Sequence, residues 1–388
     1  MPLRINITSL LAKVEGTYGT DPVPTGSANA ILLMGTPTLS PMEMTTVQRN
    51  TITPYFGNLG SLPSSIYGKL DFEVEIAGSG TAGVAPAWGQ LLRGCSWSET
   101  ITAAPITGTA QVGGTTTTIV LAAAASASTD FYNGMPISIT AGTASGQSGY
   151  IVDYDGTTKI ATVVSSAWIA TDATSTYSIG ANVAYHPVTN LQESVTLYFN
   201  IDGVLHKFLG ARGNCVLNFA ADQIPSIKFS FQGLFQTVVD AASPTVTLTG
   251  WKQPQVANKA NTPFLSLHGF TASSLDTFSM DMVNNVTHHA LIGGTEQFVI
   301  TDRNPAGNIS MEAVNVATKD WWSTVKNATL STFAMQHGTN PGNKIALTAP
   351  AVQIITPKYG NKNKITMLTA GLIPTPITGN DDLALVTF

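Results

Sequence analysis

The sequence predicts an all-β-dominated protein: one unit of strands with a short helix, used twice in tandem, and a small β-sandwich inserted into the first copy. Three observations predict it. The chain of 388 residues is 43% hydrophobic and only 11% charged, with abundant Thr, Ser, Ala, Gly and Val. That composition favours strands and excludes a disordered chain. Landmarks recur in the same order in the two halves, which is the signature of one structural unit used twice. One long segment, present in the first half alone, carries hairpin signals of its own.

Ile31 to Gly35 answers Leu265 to Gly269. The alternating strand Leu70 to Ile76, with the Trp88 segment after it, answers Ile309 to Ala313 followed by Trp321-Trp322. Gly203 answers Gly342. The strand Ile227 to Leu234, with Gly233 near its end, answers Ile365 to Leu372, with Gly371 in the same place.

Residues 1–27 read as an N-terminal arm, because Gly16, Gly19, Pro22, Pro24 and Gly26 break any regular element beyond a short helix at Ser9 to Val14. Residues 28–100 and 185–240 form the first repeat. Its first strand is Ala28 to Leu39. Ser40 to Tyr67 then reads as a long polar loop, rich in turn residues at Pro41, Pro54, Gly57, Gly60 and Pro63. A loop of that length is expected to serve contact. Lys69 to Ile76 alternates, with Leu70, Phe72, Val74 and Ile76 on one face and Asp71, Glu73 and Glu75 on the other. Ala85 to Cys95 places Trp88, Leu91 and Leu92 at helical spacing.

Residues 101–184 are the insert, a small domain by length. Asn133-Gly134 and Asp155-Gly156 are its hairpin signals. Ser194 to Asn200 resumes the first repeat. Residues 241–261 read as a linker stiffened by Pro244 and Pro254. Residues 262–388 are the second repeat, with a helix at Lys319 to Ala328 and a strand at Leu330 to Gln336.

Charge and motifs narrow the function classes. A surface so poor in charge suits a chain covered by neighbouring subunits. The formal net charge of −5 argues against an electrostatic DNA binder. No apolar run is long enough for a membrane-spanning helix, and the N-terminus lacks the apolar core of a signal peptide. Cys95 and Cys215 cannot make a disulfide framework and read as small buried hydrophobes. Synthesis in the cytoplasm is the expectation.

Gly78-Ser79-Gly80-Thr81-Ala82-Gly83 matches a dinucleotide-binding fingerprint, but that motif needs a parallel strand-helix-strand unit. A strand-to-helix turn is the better reading. Asp153-Tyr154-Asp155-Gly156 lacks the downstream glutamate of a calcium loop. His288-His289 has no accompanying ligand cluster, and adjacent strand residues point to opposite faces. No nucleophile and base stand together, so no enzyme, metal or cofactor is expected. The face formed by Asp71, Glu73 and Glu75, echoed by Glu312, is either a solvated strand face or the carboxylate wall of a channel.

Several blocks together carry a resemblance. They are Lys13-Val14-Glu15-Gly16-Thr17-Tyr18-Gly19-Thr20-Asp21, Asn29-Ala30-Ile31-Leu32, Tyr185-His186-Pro187-Val188, Ser194 to Gly203, Gly210-Ala211-Arg212-Gly213 and Ile224 to Phe229. In that order they resemble the tail tube (major tail) proteins of long-tailed bacteriophages, over most of the first repeat outside the insert. The insert is more loosely similar to a β-module grafted into phage virion proteins. The resemblance implies two tandem tail-tube-type β-sandwich domains, each with a short flanking helix, beside an inserted Ig-like β-sandwich, and stacked rings forming a tube that conducts DNA, with six tube domains per ring, hence three chains of this doubled kind. It implies a lumen lined by acidic residues, for which Asp71, Glu73, Glu75 and Glu312 are the candidates. It places the protein in the virion tail, with its own copies and the tape measure and tail terminator proteins as partners, and genomic DNA passing without specific binding. Pro41, Arg49, Tyr55, Phe56 and Tyr67 are the candidate contacts between rings. The alternative is a surface adhesin or carbohydrate-binding protein, whose insert offers Phe131, Tyr132, Tyr150, Tyr154, Trp168 and Tyr177.

Overall fold

The computed structural model describes residues 3–271 and 274–388. Met1 and Pro2 of the expected arm, and Ala272 and Ser273 of the expected second repeat, lie outside the described residues. Among the described residues strands dominate, and the two helices are short, Gly89–Arg93 and Trp321–Lys326. The chain is all-β dominated, as its composition predicts. No helix among the described residues is long and apolar enough to cross a membrane.

One strand order occurs twice. The first set runs Thr8–Val14, Val195–Ile201, Val204–Ala220, Ser226–Phe235, Ser61–Glu75 and Met34–Gln48, each antiparallel to the next. The second runs Phe264–Leu267, Leu330–His337, Ile345–Lys362, Ile365–Pro374, Ala306–Glu312 and Leu275–Asp281. In each set the helix follows the fifth strand of that order. Trp88 immediately precedes the first helix and Trp321 begins the second, and both are buried. Gly203 and Gly342 both adopt positive φ in the turns leading to the long strands.

Each long strand carries a one-residue bulge, between Leu209 and Arg212 in the first and between Ile355 and Lys358 in the second. Each bulge holds a residue with positive φ, Gly210 at 57° and Thr356 at 46°. A bulge bends its strand, and here the sheet folds back around a core. Leu10, Leu197 and Phe199 join Phe72, Phe229 and Phe231, together with Trp88, Leu91 and Leu92 from the helix, in one buried cluster. The alternation of Leu70, Phe72, Val74 and Ile76 is observed as inward-facing and buried. Each such side chain contributes roughly 1.5–3 kcal/mol by leaving water.

Five expectations about the two strand sets need correction. Thr8–Val14 is a strand, not a helix within an arm, because Leu10 and Ala12 fill the core and the backbone pairs with Val195–Ile201. In pairing order it, rather than Ile31 to Gly35, matches Phe264–Leu267. The first-repeat strand expected at Ala28 to Leu39 is divided into Ala30–Ile31 and the start of Met34–Gln48. The expected loop from Ser40 to Tyr67 is mostly a long hairpin of Met34–Gln48 against Ser61–Glu75, whose cross-strand pairing absorbs the prolines at exposed, irregular positions. Aligned through the bulges, Gly371 matches Leu234 and Ala370 matches Gly233. The expected glycine match is one residue out, and a slip of one would reverse every face.

Residues 106–179 build a separate six-stranded antiparallel sheet. Its buried cluster contains Ile119, Met135, Ile137, Tyr154 and Tyr177. The host continues into a stalk, Trp97–Thr102 paired with Asn182–Pro187, in which Thr102 lies opposite Asn182. The insert's sheet therefore starts and ends inside the expected 101–184. Asp155-Gly156 turns a hairpin, with the Asp155 carboxylate accepting from the Thr157 N–H at 2.7 Å and the Thr158 hydroxyl at 2.9 Å. Asn133-Gly134 does not close a hairpin. It is a turn leading into Pro136–Ala141, and the Gly134 N–H donates to the Ile151 carbonyl at 2.7 Å. The insert leans on the second set, with Ala346 in its buried cluster and Tyr150 5.4 Å from Phe264, and on Val386 of the strand Ala384–Thr387, which pairs with both Ile345–Lys362 and the stalk.

Candidate functional site

The sheet register assembles the charged face. Asp71 lies opposite Ser230, Glu73 opposite Lys228 and Glu75 opposite Ser226. Opposed residues share a face, so Lys69 and Lys228 stand among the three carboxylates. Lys69 Nζ is 3.3 Å from Asp71, and Glu73 accepts from the Ser226 hydroxyl. Glu312 occupies the place of Asp71 in the second set. On the same face there stand Lys358 and Lys362, the latter paired with Asp276. The face is of mixed charge rather than uniformly acidic. Lys228 escaped sequence reading because its strand is remote in the chain and only the pairing register brings it to Glu73.

The long hairpin is the second surface. Pro41 sits exposed at an irregularity between Ser40 and Glu43. Arg49, Tyr55 and Phe56 are exposed in the connection between its strands, with Phe56 fully open to solvent, as is Ile52. Met42, Met44, Val47 and Leu62 add further exposed apolar side chains. Such a concentration marks an interaction surface. Tyr67 differs from the other contact candidates. It lies at the hairpin base with its ring 5.6 Å from both His288 and Phe298, inside the chain's own packing. Met42 and Met44, missed from the sequence, were signalled by their spacing of two residues.

A buried clasp lies beside the first bulge. The Glu15 carboxylate accepts from the Ser194 hydroxyl at 2.6 Å, the Thr196 hydroxyl at 2.6 Å, the Gly19 N–H at 2.8 Å and the Gly210 N–H at 2.7 Å. The Tyr18 ring fills the space a side chain on Gly210 would need, and the Arg212 guanidinium lies 5.0 Å from that ring. Burial pushes the Tyr18 phenol up and the Arg212 guanidinium down from their ordinary pKa values. Lys13 to Asp21 and Gly210 to Gly213, distant blocks in the sequence, thus meet at one place.

The glycine loop is a contact, not an open cradle. The Gly78 N–H donates to Asn343 Oδ1 at 2.6 Å and the Gly80 N–H to the Gly342 carbonyl at 2.9 Å. His288 and His289 lie on a strand, Asn284–Ala290, and His288 Nε2 is 2.8 Å from Glu296 Oε1 with its ring stacked on Phe298. Cys95 and Cys215 are free and buried, and burial pushes the Cys95 thiol up. A cleft of about 450 Å³ at the junction of the two strand sets has Asp222, Lys259 and Asp276 as its ionisable lining. Among the described residues no group of three or more His, Cys, Asp or Glu is gathered as a metal site. No family model matches the chain, and no curated protein is similar to it.

Proposed function

We propose that the chain is a structural virion protein, the tail tube subunit of a long-tailed bacteriophage, with two tandem tube-type β-sandwich domains and an inserted Ig-like module. Three chains supply six domains to each ring, and stacked rings form the conduit for DNA. The chain works by assembly and carries no catalytic chemistry. Its partners are its own copies, the tape measure and terminator proteins, and DNA that passes without specific contact.

The observation that carries this reading is the strand order present twice in one chain. A unit used twice halves the number of chains that must close a cyclic assembly. The exposed apolar hairpin supports a chain that is covered by neighbours, and its tip, with Arg49, Tyr55 and Phe56, is the candidate axial contact. Asp71, Glu73, Glu75 and Glu312 remain the candidate lumen carboxylates, tempered by the lysines beside them.

Electron microscopy of the purified protein tests the reading. Threefold rings with six similar lobes, or tubes built from them, are the expected result. Rings of six whole chains would sink the trimer, and discrete monomers at high concentration would favour the adhesin. For the lumen, Lys at 71, 73 and 75 together should leave tubes intact and slow DNA ejection, with added salt relieving the defect by screening. Unchanged ejection removes these residues from the lumen.

A further inference from the structure

We propose that Cys95 and Cys215 form an oxidation site, at which a small-molecule disulfide such as oxidised glutathione turns two buried thiols into one intrachain bond. The inference rests on the fold and not on the reading of the chain as a tube subunit.

The fold brings the pair together from far apart in the sequence. Cys95 lies in the turn after helix Gly89–Arg93, and Cys215 lies in Val204–Ala220 on the core face, as does Leu217. Two glycines set the approach. The Gly213 N–H donates to the Gly94 carbonyl at 3.1 Å. A Cβ on Gly213 would lie 2.6 Å from the Ser230 carbonyl oxygen, and one on Gly94 would lie 2.9 Å from Phe231 Cε1. Neither position has room for a side chain, so the two backbones meet there and the residues just beyond carry the side-chain contact.

Further bonds hold both cysteines in place. Asn284 Nδ2 donates to the Cys95 carbonyl at 2.9 Å and to the Gly213 carbonyl at 3.0 Å. The Met282 N–H donates to the Cys215 carbonyl at 3.2 Å, and the Cys95 N–H to the Leu92 carbonyl at 2.7 Å. Within this frame the Cys95 thiol lies against the Cys215 thiol. Both are free, and neither is exposed to solvent.

Packing alone does not require sulfur here. The chain has two cysteines in all, and the second set packs its helix Trp321–Lys326 against Ile345–Lys362 without one. What two adjoining thiols add is the capacity for a bond. The thiolate of one cysteine attacks the small disulfide, expels one small thiolate and leaves a mixed disulfide on the chain. The thiolate of the other cysteine then attacks the chain's sulfur in that mixed disulfide and expels the second small thiolate. One S–S bond breaks and one forms, two electrons pass to the small disulfide, and its two leaving thiolates take up the two thiol protons.

Burial keeps the Cys95 thiol protonated and unreactive while the site is closed. The exchange therefore runs through local opening of the helix end. That helix has five residues, too few to persist without its packing. Reclosing presents the second sulfur to the first. The bond closes a loop of about 120 residues, which restricts the unfolded chain and so stabilises the fold. The loop contains the whole insert, because the stalk strands Trp97–Thr102 and Asn182–Pro187 both lie within it.

The test incubates the full chain with oxidised glutathione and counts free thiols in denaturant after an acid quench. Two thiols per chain should fall to none, with a tryptic peptide pair joining Cys95 to Cys215 and no glutathione retained. The urea midpoint should rise, and dithiothreitol should return it. Cys95→Ser and Cys215→Ser, each checked for native circular dichroism, should each hold one glutathione and show no such rise. A second arm removes access from the question: the wild-type chain is refolded from urea in glutathione buffers of stepped composition and compared with the chain kept unfolded. The intrachain bond should form at least about tenfold more favourably in the folded chain, since a bond that stabilises the fold is stabilised by it. A bond no more favourable in the folded chain than in the unfolded one would overturn the proposal. So would two glutathiones held per wild-type chain, or wild-type thiols that stay free while the single variants take up glutathione.

Discussion

The Glu15 carboxylate accepts the backbone N–H of Gly210 at 2.7 Å, tying the N-terminal segment to the bulge of the longest first-set strand. Glu15 is buried, and its oxygens also serve Ser194, Thr196 and Gly19. Removing it leaves several donors unsatisfied away from water. Glu15→Ala should cost roughly 3 kcal/mol of unfolding free energy in denaturant titration. Glu15→Gln, which keeps one good acceptor, should cost less. A loss below about 1 kcal/mol for the alanine variant would show that water satisfies these donors.

Gly68 is set by close approach. A Cβ there would lie 1.8 Å from Phe208 Cε1, and both neighbours are held by paired strands. Gly68→Ala should destabilise by about 1–3 kcal/mol through overpacking. Adding Phe208→Leu should recover part of that loss. In a double-mutant cycle, coupling of more than about 0.5 kcal/mol is expected. Strict additivity would mean the backbone, not Phe208, yields.

The insert can be excised at its stalk. Thr102 faces Asn182, so replacing residues 103–181 with a short Gly/Ser turn adds little closure cost. The host should still unfold in one cooperative transition, with a lower midpoint, because Ala346, Val386 and Phe264 lose their cover. Increased binding of a hydrophobic dye should report that newly bared patch. A chain that no longer folds would place the insert within the host core.

Three histidines make stability depend on pH. Burial lowers the pKa of His186, His268 and His337 below 6.5. Each Nε2 lies within 2.7–2.9 Å of a backbone carbonyl, of Asn133, Val352 and Gln255 respectively. The folded state keeps them neutral, while the unfolded chain takes up protons as pH falls. Their contribution is complete above about pH 6.5 and is lost as pH drops through the depressed folded values, at most about 1.4 kcal/mol per pH unit for each histidine. The melting temperature should therefore fall between about pH 7.5 and 5.5. Replacing His268 by Gln should flatten that slope, and an unchanged slope would assign the effect to other groups.

The local parts of this fold were legible in the sequence. Leu70, Phe72, Val74 and Ile76 declare a half-buried strand by their period of two, and Trp88, Leu91 and Leu92 a helix by theirs. Asp155-Gly156 declares its hairpin, and the order of landmarks declares the duplication. These features lie within a few neighbouring residues or recur in order. Pairing was not legible. Ser9 to Val14, with Leu10, Leu11 and Ala12, suits a helix by propensity, and Val195–Ile201 makes it a strand. Pro41 and Pro63 suggest a loop, yet the ladder between Met34–Gln48 and Ser61–Glu75 passes through their region. Lys228 reaches Glu73, and Thr356 answers Gly210, only through strand register. Side-chain period is written along the chain, whereas register is a relation between segments far apart in it, decided by which backbone groups and core faces are satisfied together.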